Sequence, residues 1–244
     1  MEYYTEVKLM GDAYGAGFSN GLTMCGSQSA AAFRKVEDMG PDAVYDDDRQ
    51  HRIVLHKKAA GQAVEVSTEF INDSAEAVTL EMLSSFAIRG INADRIHRLQ
   101  SFWSAEGKLR TESIEELHLE PSWNRCGMRV EKFGNVGSMP VRKYFPFLVV
   151  EDSKKQEFLG IQLYCPSSWQ IEILCKDDDT LTIVGGIADR DFGHWMKKLS
   201  PGEKFVTPKA VIAGGNTLYE VCDKLVKAQK PAISDVDKKS GNCF

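Results

Sequence analysis

Period-two alternation dominates the middle of the chain. Val64, Val66, Thr68 and Phe70 alternate with Glu65, Ser67 and Glu69; after the turn formers Asn72, Asp73 and Ser74, the apolar positions resume at Val78, Leu80, Met82, Phe86 and Ile88. This pattern predicts a hairpin of half-buried strands. Short runs rich in β-branched and aromatic residues follow over 96–103, 128–133, 145–150, 158–164, 169–175, 181–184, 205–207 and 211–213, most of them bounded by Gly, Pro, Asn, Asp or Ser. No helical periodicity falls between these runs. Parallel βαβ units are therefore excluded, and a large antiparallel sandwich is expected.

One helix closes the pattern. Leu218, Val221, Cys222, Leu225 and Val226 share one face at helical spacing, with Glu220, Asp223, Lys224 and Lys227 opposite. Thr217 and Glu220 have capping-box spacing, and Pro231 stops the helix soon after Lys230. The expected organisation is a β domain over 1–214, an amphipathic linker helix over 215–230 and a polar connector over 231–244. The first sixty residues carry no comparable signal. Gly15 and Gly17 open a dinucleotide-type glycine pattern, but Asn20 stands where its third glycine belongs, so turns and loops account for these glycines.

Charge and cysteine content narrow the function classes. Thirty Lys and Arg against 35 Asp and Glu give a net charge of -5, which supplies no attraction to a nucleic-acid backbone or an anionic lipid surface. The longest strongly apolar run, Phe145 to Val150, is far shorter than the roughly 20 residues of a membrane helix. The start, Met1-Glu2-Tyr3-Tyr4-Thr5-Glu6, lacks the basic and apolar regions of a secretion signal, so a cytoplasmic protein is expected. Six cysteines without a Cys-x-x-Cys pair predict reduced, packed thiols rather than a zinc or redox site. No pattern selects a metal or a cofactor.

Candidate chemistry is sparse. The acidic runs Asp46-Asp47-Asp48 and Asp177-Asp178-Asp179 have the composition of solvated hairpin turns and lack calcium-loop spacing. The five histidines, His51, His56, His97, His118 and His194, form no zinc motif; a sugar mutarotase needs a His pair and a Glu converging from distant strands, which spacing alone does not select. The tryptophans are the remaining lead, because an indole face stacks on a pyranose ring. Trp169 and Trp195 read as core. Trp103 and Trp123, beside polar loop residues, are the candidate sugar-binding positions, with burial in the core as the alternative.

The order of four segments is more specific than any one of them. Trp103-x-x-Glu106, then Tyr144-Phe145-Pro146-Phe147-Leu148-Val149, then Phe158-Leu159-Gly160-Ile161-Gln162-Leu163-Tyr164, then Ser200-Pro201-Gly202-Glu203-Lys204-Phe205-Val206-Thr207-Pro208 resembles the amino-terminal domain of family thirty-six glycoside hydrolases, the microbial α-galactosidases, over about residues 60–230. The resemblance implies an all-β, galactose-mutarotase-like supersandwich with a C-terminal linker helix, followed in the family by a (β/α)₈ barrel that carries both catalytic aspartates. It implies no catalytic residue here and no activity for this chain alone. The implied role is support of the barrel, the active-site rim and the contacts of a homo-oligomer, with the chain's own barrel and an α-galactoside as partners. A stand-alone carbohydrate-binding module and a sugar mutarotase or epimerase are the alternatives. Phe145-Pro146-Phe147 stands where many members read Asn-Pro-Phe, and Tyr164-Cys165-Pro166-Ser167 where they read Tyr-Ser-Gly-Asn, so the preferred galactoside stays open.

Overall fold

The computed structural model describes residues 1–15, 22–119, 129–139, 141–175 and 180–229. Strands β1 (Glu2–Tyr4) and β2 (Val7–Leu9) lead to a one-turn helix, α1 (Gln28–Ala32). There follow β3 (Arg34–Met39), β4 (Asp42–Asp46), β5 (His51–Ala60), β6 (Ala63–Asn72), β7 (Val78–Ile91), β8 (Arg95–Leu99) and β9 (Leu109–Ser113). The second half supplies β10 (Arg129–Asn135), β11 (Phe147–Asp152), β12 (Glu157–Leu163), β13 (Trp169–Cys175) and β14 (Leu181–Ile187). A short helix α2 (Arg190–Gly193) precedes β15 (Lys197–Leu199), β16 (Lys204–Val206) and β17 (Ala210–Gly215), and α3 (Leu218–Ala228) comes last.

Two antiparallel sheets result. One has the order β1-β7-β14-β13-β10, with β2 and β15 also on β7; the other runs β3-β4-β5-β6-β17-β12-β11-β8-β9, with β16 on β6. Their facing sides interdigitate Phe86, Ile88, Trp169, Ile171, Ile173 and Ile183 with Leu55, Val66, Leu148, Ile161 and Ile212, all essentially inaccessible to water. Each such side chain contributes about 1.5–3 kcal/mol by leaving water, which makes this layer the main source of stability. The architecture is the antiparallel sandwich that the alternation predicts, with α3 on the outside of the larger sheet. No helix among the described residues is long and apolar enough to cross a membrane.

The expected hairpin of β6 and β7 does not form. The two strands lie in different sheets, so the connection through Asn72–Ser74 crosses the sandwich instead of turning within a sheet. Another segment takes the place a hairpin partner would fill. The turn at Ser200–Glu203, with Gly202 at φ +78, inserts beside Asn72: Gly202 N–H donates to the Asn72 carbonyl at 2.7 Å, and Asn72 N–H donates to the Glu203 carbonyl at 3.0 Å. From there β16 pairs with Glu69–Ile71, and Thr68 N–H donates to the Thr207 hydroxyl at 2.9 Å. The Pro-Gly-Glu-x-Phe-x-Thr segment thus completes an edge of β6. Alternation reports that one face of a strand is buried; it carries no information about which strand lies alongside.

Helix α3 starts at the expected cap. Thr217 Oγ1 accepts from Glu220 N–H at 3.1 Å, while the Glu220 carboxylate reaches back to Asn216 N–H at 2.9 Å. Val221 and Leu225 are buried and Leu218 and Cys222 half-buried, whereas Val226 and Tyr219 point to solvent, so the buried stripe is narrower than the sequence pattern. The helix approaches β12 at Gly160, where any Cβ would run into the Val221 side chain and lie 3.1 Å from Leu225 Cδ1. Pro231 and the connector over 231–244 lie outside the described residues, as does the run Asp177–Asp179. Two short helices, α1 and α2, and the first five strands come from stretches in which no period was legible.

Because glycine at 160 lets α3 lie against the sheet, Gly160→Val should displace the helix and destabilise the chain by about 1–3 kcal/mol. For a domain of this size that is a fall of roughly 2–4 °C in melting temperature per kcal/mol, readable by calorimetry or circular dichroism. An unchanged melting temperature would show that α3 is not held by this contact.

Candidate functional site

Trp103 sits at the tip of the connection between β8 and β9. Gln100 N–H donates to the Lys108 carbonyl and Gly107 N–H to the Gln100 carbonyl, closing the base at 2.9 and 2.8 Å. Ala105 N–H donates to the Phe102 carbonyl at 2.8 Å across a turn whose third residue, Ser104, is left-handed at φ +65. That turn puts Trp103 at its outer corner. The loop is also tied to the neighbouring chain segment: Ser101 N–H donates to the Lys143 carbonyl, Phe145 N–H to the Leu99 carbonyl, and Gln100 bridges to Tyr144. The outcome is a pinned loop carrying two bare rings, Trp103 83% and Phe102 60% exposed. A well-anchored, solvent-facing indole is the geometry that stacks on a sugar face at low entropic cost. Trp123, the other candidate, lies outside the described residues. Trp169 is fully buried against Phe133, as a core position should be, whereas Trp195 is half-buried on Phe205 at the margin of the core.

Beneath this loop an ionic triad joins the two sheets. Arg98 of β8 is 2% exposed and pairs with Glu112 of β9 in its own sheet and, at 2.6 Å, with Glu131 of β10 in the other. Its guanidinium also lies over the Phe133 and Tyr144 rings, 5.0 and 5.1 Å from their centroids. A buried cation so surrounded fixes the hairpin's angle to the sandwich; removing one partner alone leaves an uncompensated charge.

The histidines are engaged elsewhere. His97 bonds Glu151 at 2.9 Å through Nε2 and Thr111 at 2.9 Å through Nδ1, and its ring stacks on Phe158. His56 lies between Asp42 and Glu69, and His51 bonds Asp47 at 2.8 Å. Each of the three has its own carboxylate partner, and a paired imidazole arrangement for sugar-ring chemistry does not arise from them. Asp47 also corrects the reading of its acidic run. It does sit in the β4–β5 turn, but its carboxylate is fully buried, accepting Arg49 N–H at 2.9 Å, His51 N–H at 2.8 Å and the Arg49 side chain. The run is a turn whose middle acid folds inward to bind the backbone that doubles back. Cys25, Cys165, Cys175 and Cys222 are free thiols.

A second polar cluster escaped sequence reasoning. The segment at Thr23–Cys25 lies over the outer face of the seven-stranded sheet, with Met24 and Cys25 packed on Met82, Ala87, Leu174 and Val184. Under this strap the side chains of Glu172 and Asp189 are fully buried and share their donors. Lys132 Nζ lies 3.2 Å from one and 3.1 Å from the other, and Gln170 Nε2 donates to them at 2.7 and 2.8 Å. Thr23 of the strap donates to the second oxygen of Glu172. Burial pushes the Glu172 carboxyl up to about 7, with Lys132 and Thr23 pulling the other way. Two carboxylates so close would interest anyone seeking a glycosidase pair. Here both are sealed from solvent and occupied by a lysine and an amide, so no glycosidic bond reaches them. The available signal was a charge inside an apolar run, Glu172 within Trp169–Cys175.

The opposite end of the sandwich holds an open cavity of about 450 Å³, bordered by Ile91, Asn92, Val150, Glu157, Phe158 and Asn216. Its polar side chains are few, and the exposed rings of Phe102 and Trp103 lie at the other end of the β8 and β11 strands.

No family model matches the sequence, and no curated protein matches it significantly. Solved structures do match the fold. An α-galactosidase of glycoside hydrolase family 36 from Geobacillus stearothermophilus, AgaA carrying A355E and bound to 1-deoxygalactonojirimycin, superposes with a TM-score of 0.61 at 16% identity over 92% of this chain and 29% of that one. The α-galactosidase of Lactobacillus brevis gives 0.58 at 16% identity, over 88% of this chain and 26% of that one. The galactosidase domain of the α-galactosidase-sucrose kinase AgaSK gives 0.59 at 13%, over 88% and 27%. The chain has the fold of a β-supersandwich module built into α-galactosidases, and it spans little more than a quarter of their length.

The buried acid has a pH signature. Because the folded-state affinity of Glu172 for a proton exceeds that of the unfolded chain, its contribution is fully present below the ordinary carboxylate range and is lost as pH rises through about 7. Glu172→Gln, which keeps an acceptor for Lys132 and Thr23, should gain on the wild type between about pH 5 and pH 8, by ~1–3 kcal/mol. Urea titrations of both proteins across that range read the difference; a difference independent of pH would show that Glu172 is ionised throughout.

Proposed function

We propose that this chain is the non-catalytic N-terminal domain of an α-galactosidase-like glycoside hydrolase. The parent enzyme would release terminal α-galactosyl residues from galacto-oligosaccharides, and this domain would support the barrel, the active-site rim and the oligomer contacts. The observation that carries the reading is the match of nine-tenths of this chain to about a quarter of several α-galactosidases. The domain proper runs over 1–214 on this reading, α3 belongs to a linker over 215–230, and residues 231–244 lead toward a barrel. Incubated with an aryl α-galactoside, the 244-residue chain should release no more aglycone than the blank, while fusion to a family barrel should give turnover. Release by the chain alone would overturn the assignment.

A binding role for the exposed tip is favoured by Trp103 specifically, since the loop beneath it is pinned on both sides and the ring is bare. Related structures hold raffinose and stachyose, which makes these oligosaccharides the natural probes. On this reading isothermal calorimetry detects weak stachyose binding that Trp103→Ala abolishes, a loss of about 1–2 kcal/mol or more for a stacked ring. Equal binding by the variant would remove Trp103 from the site.

A further inference from the structure

The outermost strand of the ten-stranded sheet, β3, is exposed at all six of its residues and, among the described residues, pairs on one side only, with β4. An edge of this kind presents unpaired backbone groups to any second strand. Its sequence is Arg34-Lys35-Val36-Glu37-Asp38-Met39, two cations, one apolar residue and two anions. Turned through a two-fold axis at Val36 and laid antiparallel on itself, the strand sets Arg34 opposite Asp38, Lys35 opposite Glu37, and Val36 opposite Val36. We propose that two copies of this chain associate through β3, joining their ten-stranded sheets across a two-fold axis at Val36.

Charges and bulges on an edge strand ordinarily prevent pairing. β3 has both, since Val36 is the extra residue of a bulge against β4. The order of the charges decides the outcome. Parallel in-register pairing places like on like at four positions. A one-residue slip in either direction keeps one kind of charge pair, Lys35 with Asp38 or Arg34 with Glu37, leaves the other two charges unmatched and sets Val36 against a charged side chain. One antiparallel register alone satisfies all four charges, and opposite charges directly across a strand pair attract whereas like charges repel. In the single chain the same groups are left with partners along the strand, Lys35 lying 2.6 Å from Asp38 with both side chains about half exposed or more, and Val36 is 56% exposed. The other edge of that sheet offers no equivalent. β9 also carries a cation and an anion, Arg110 and Glu112, but Glu112 is buried and held by Arg98. An isologous contact of this type closes as a dimer and leaves no further edge at β3.

Sedimentation of the 244-residue chain and a charge-swap cycle test the register. The wild type should reach a monomer–dimer equilibrium. Lys35→Glu and Glu37→Lys, each of which turns two symmetry-related attractions into repulsions, should each weaken association about tenfold. The double variant Lys35→Glu with Glu37→Lys restores opposite charges across the axis and should recover the wild-type constant. Both positions are exposed, and far-ultraviolet circular dichroism verifies the fold of every variant. Three outcomes overturn the proposal: a wild type that stays monomeric up to about 1 mM, a dimer indifferent to the single reversals, or a double variant that fails to recover.

Discussion

The smaller sheet is covered on both faces, and most of what is unusual in the molecule follows from that. One face meets the larger sheet; the other lies under the segment that carries Met24 and Cys25. A strand buried on one face can place its charges in water, but β13 and the stretch of β7 from Leu80 to Ile88 cannot. Glu81 and Glu172 therefore sit at 1% exposure or less, and each needs a cation at hand. Lys8, itself 2% exposed, meets Glu81 at 3.0 Å, and Arg190 meets its other oxygen; Lys132 serves Glu172 and Asp189. A buried carboxylate without its partner costs several kcal/mol, so these pairs bind distant parts of the chain into one arrangement. Asp189 caps α2 by accepting Phe192 N–H at 2.8 Å, Arg190 reaches Glu81 from that same helix, and Tyr14 of the N-terminal segment accepts from Arg190 and donates to Asp191.

This packing bears on function by subtraction. Glu172 and Asp189 are consumed beneath the strap, Glu112 and Glu131 are held by Arg98, and the described histidines on β5 and β8 are bound to acids of their own. What the surface offers instead is shape: a pinned aromatic loop at one end, an open cavity at the other, and a helix on the outside of the larger sheet. In fold the chain resembles about a quarter of several α-galactosidases.

Much of the fold was legible because a half-buried strand must alternate and an amphipathic helix must repeat at its own period. The runs at 145–150, 158–164, 169–175 and 181–184 became β11 to β14, and Thr217 caps α3 as its spacing with Glu220 requires. The pairing of β6 was not legible, since the same alternation serves a hairpin and a crossover equally. Asp47 was misread for a related reason: an acid in a turn has the same sequence signature whether it faces water or folds back onto the backbone. Trp103 could be nominated from its polar neighbours, but that its ring stands free depends on hydrogen bonds to Lys108 and Lys143, which no local pattern encodes.

While β9, α2 and β15 left no legible period and the run at 96–103 ends as a strand at Leu99, the sequence by itself determined the antiparallel class, the strands β10 to β14 and the closing helix α3. These are local consequences of side-chain period and turn chemistry. Tertiary structure alone decided that β6 and β7 part into different sheets, that Met24 and Cys25 fold over the smaller one, and that Arg98, Lys132 and Lys8 are buried with their acids. Each of those outcomes depends on which surfaces meet, and a charge is compensated by whatever lies across the interface rather than by its neighbours in the chain.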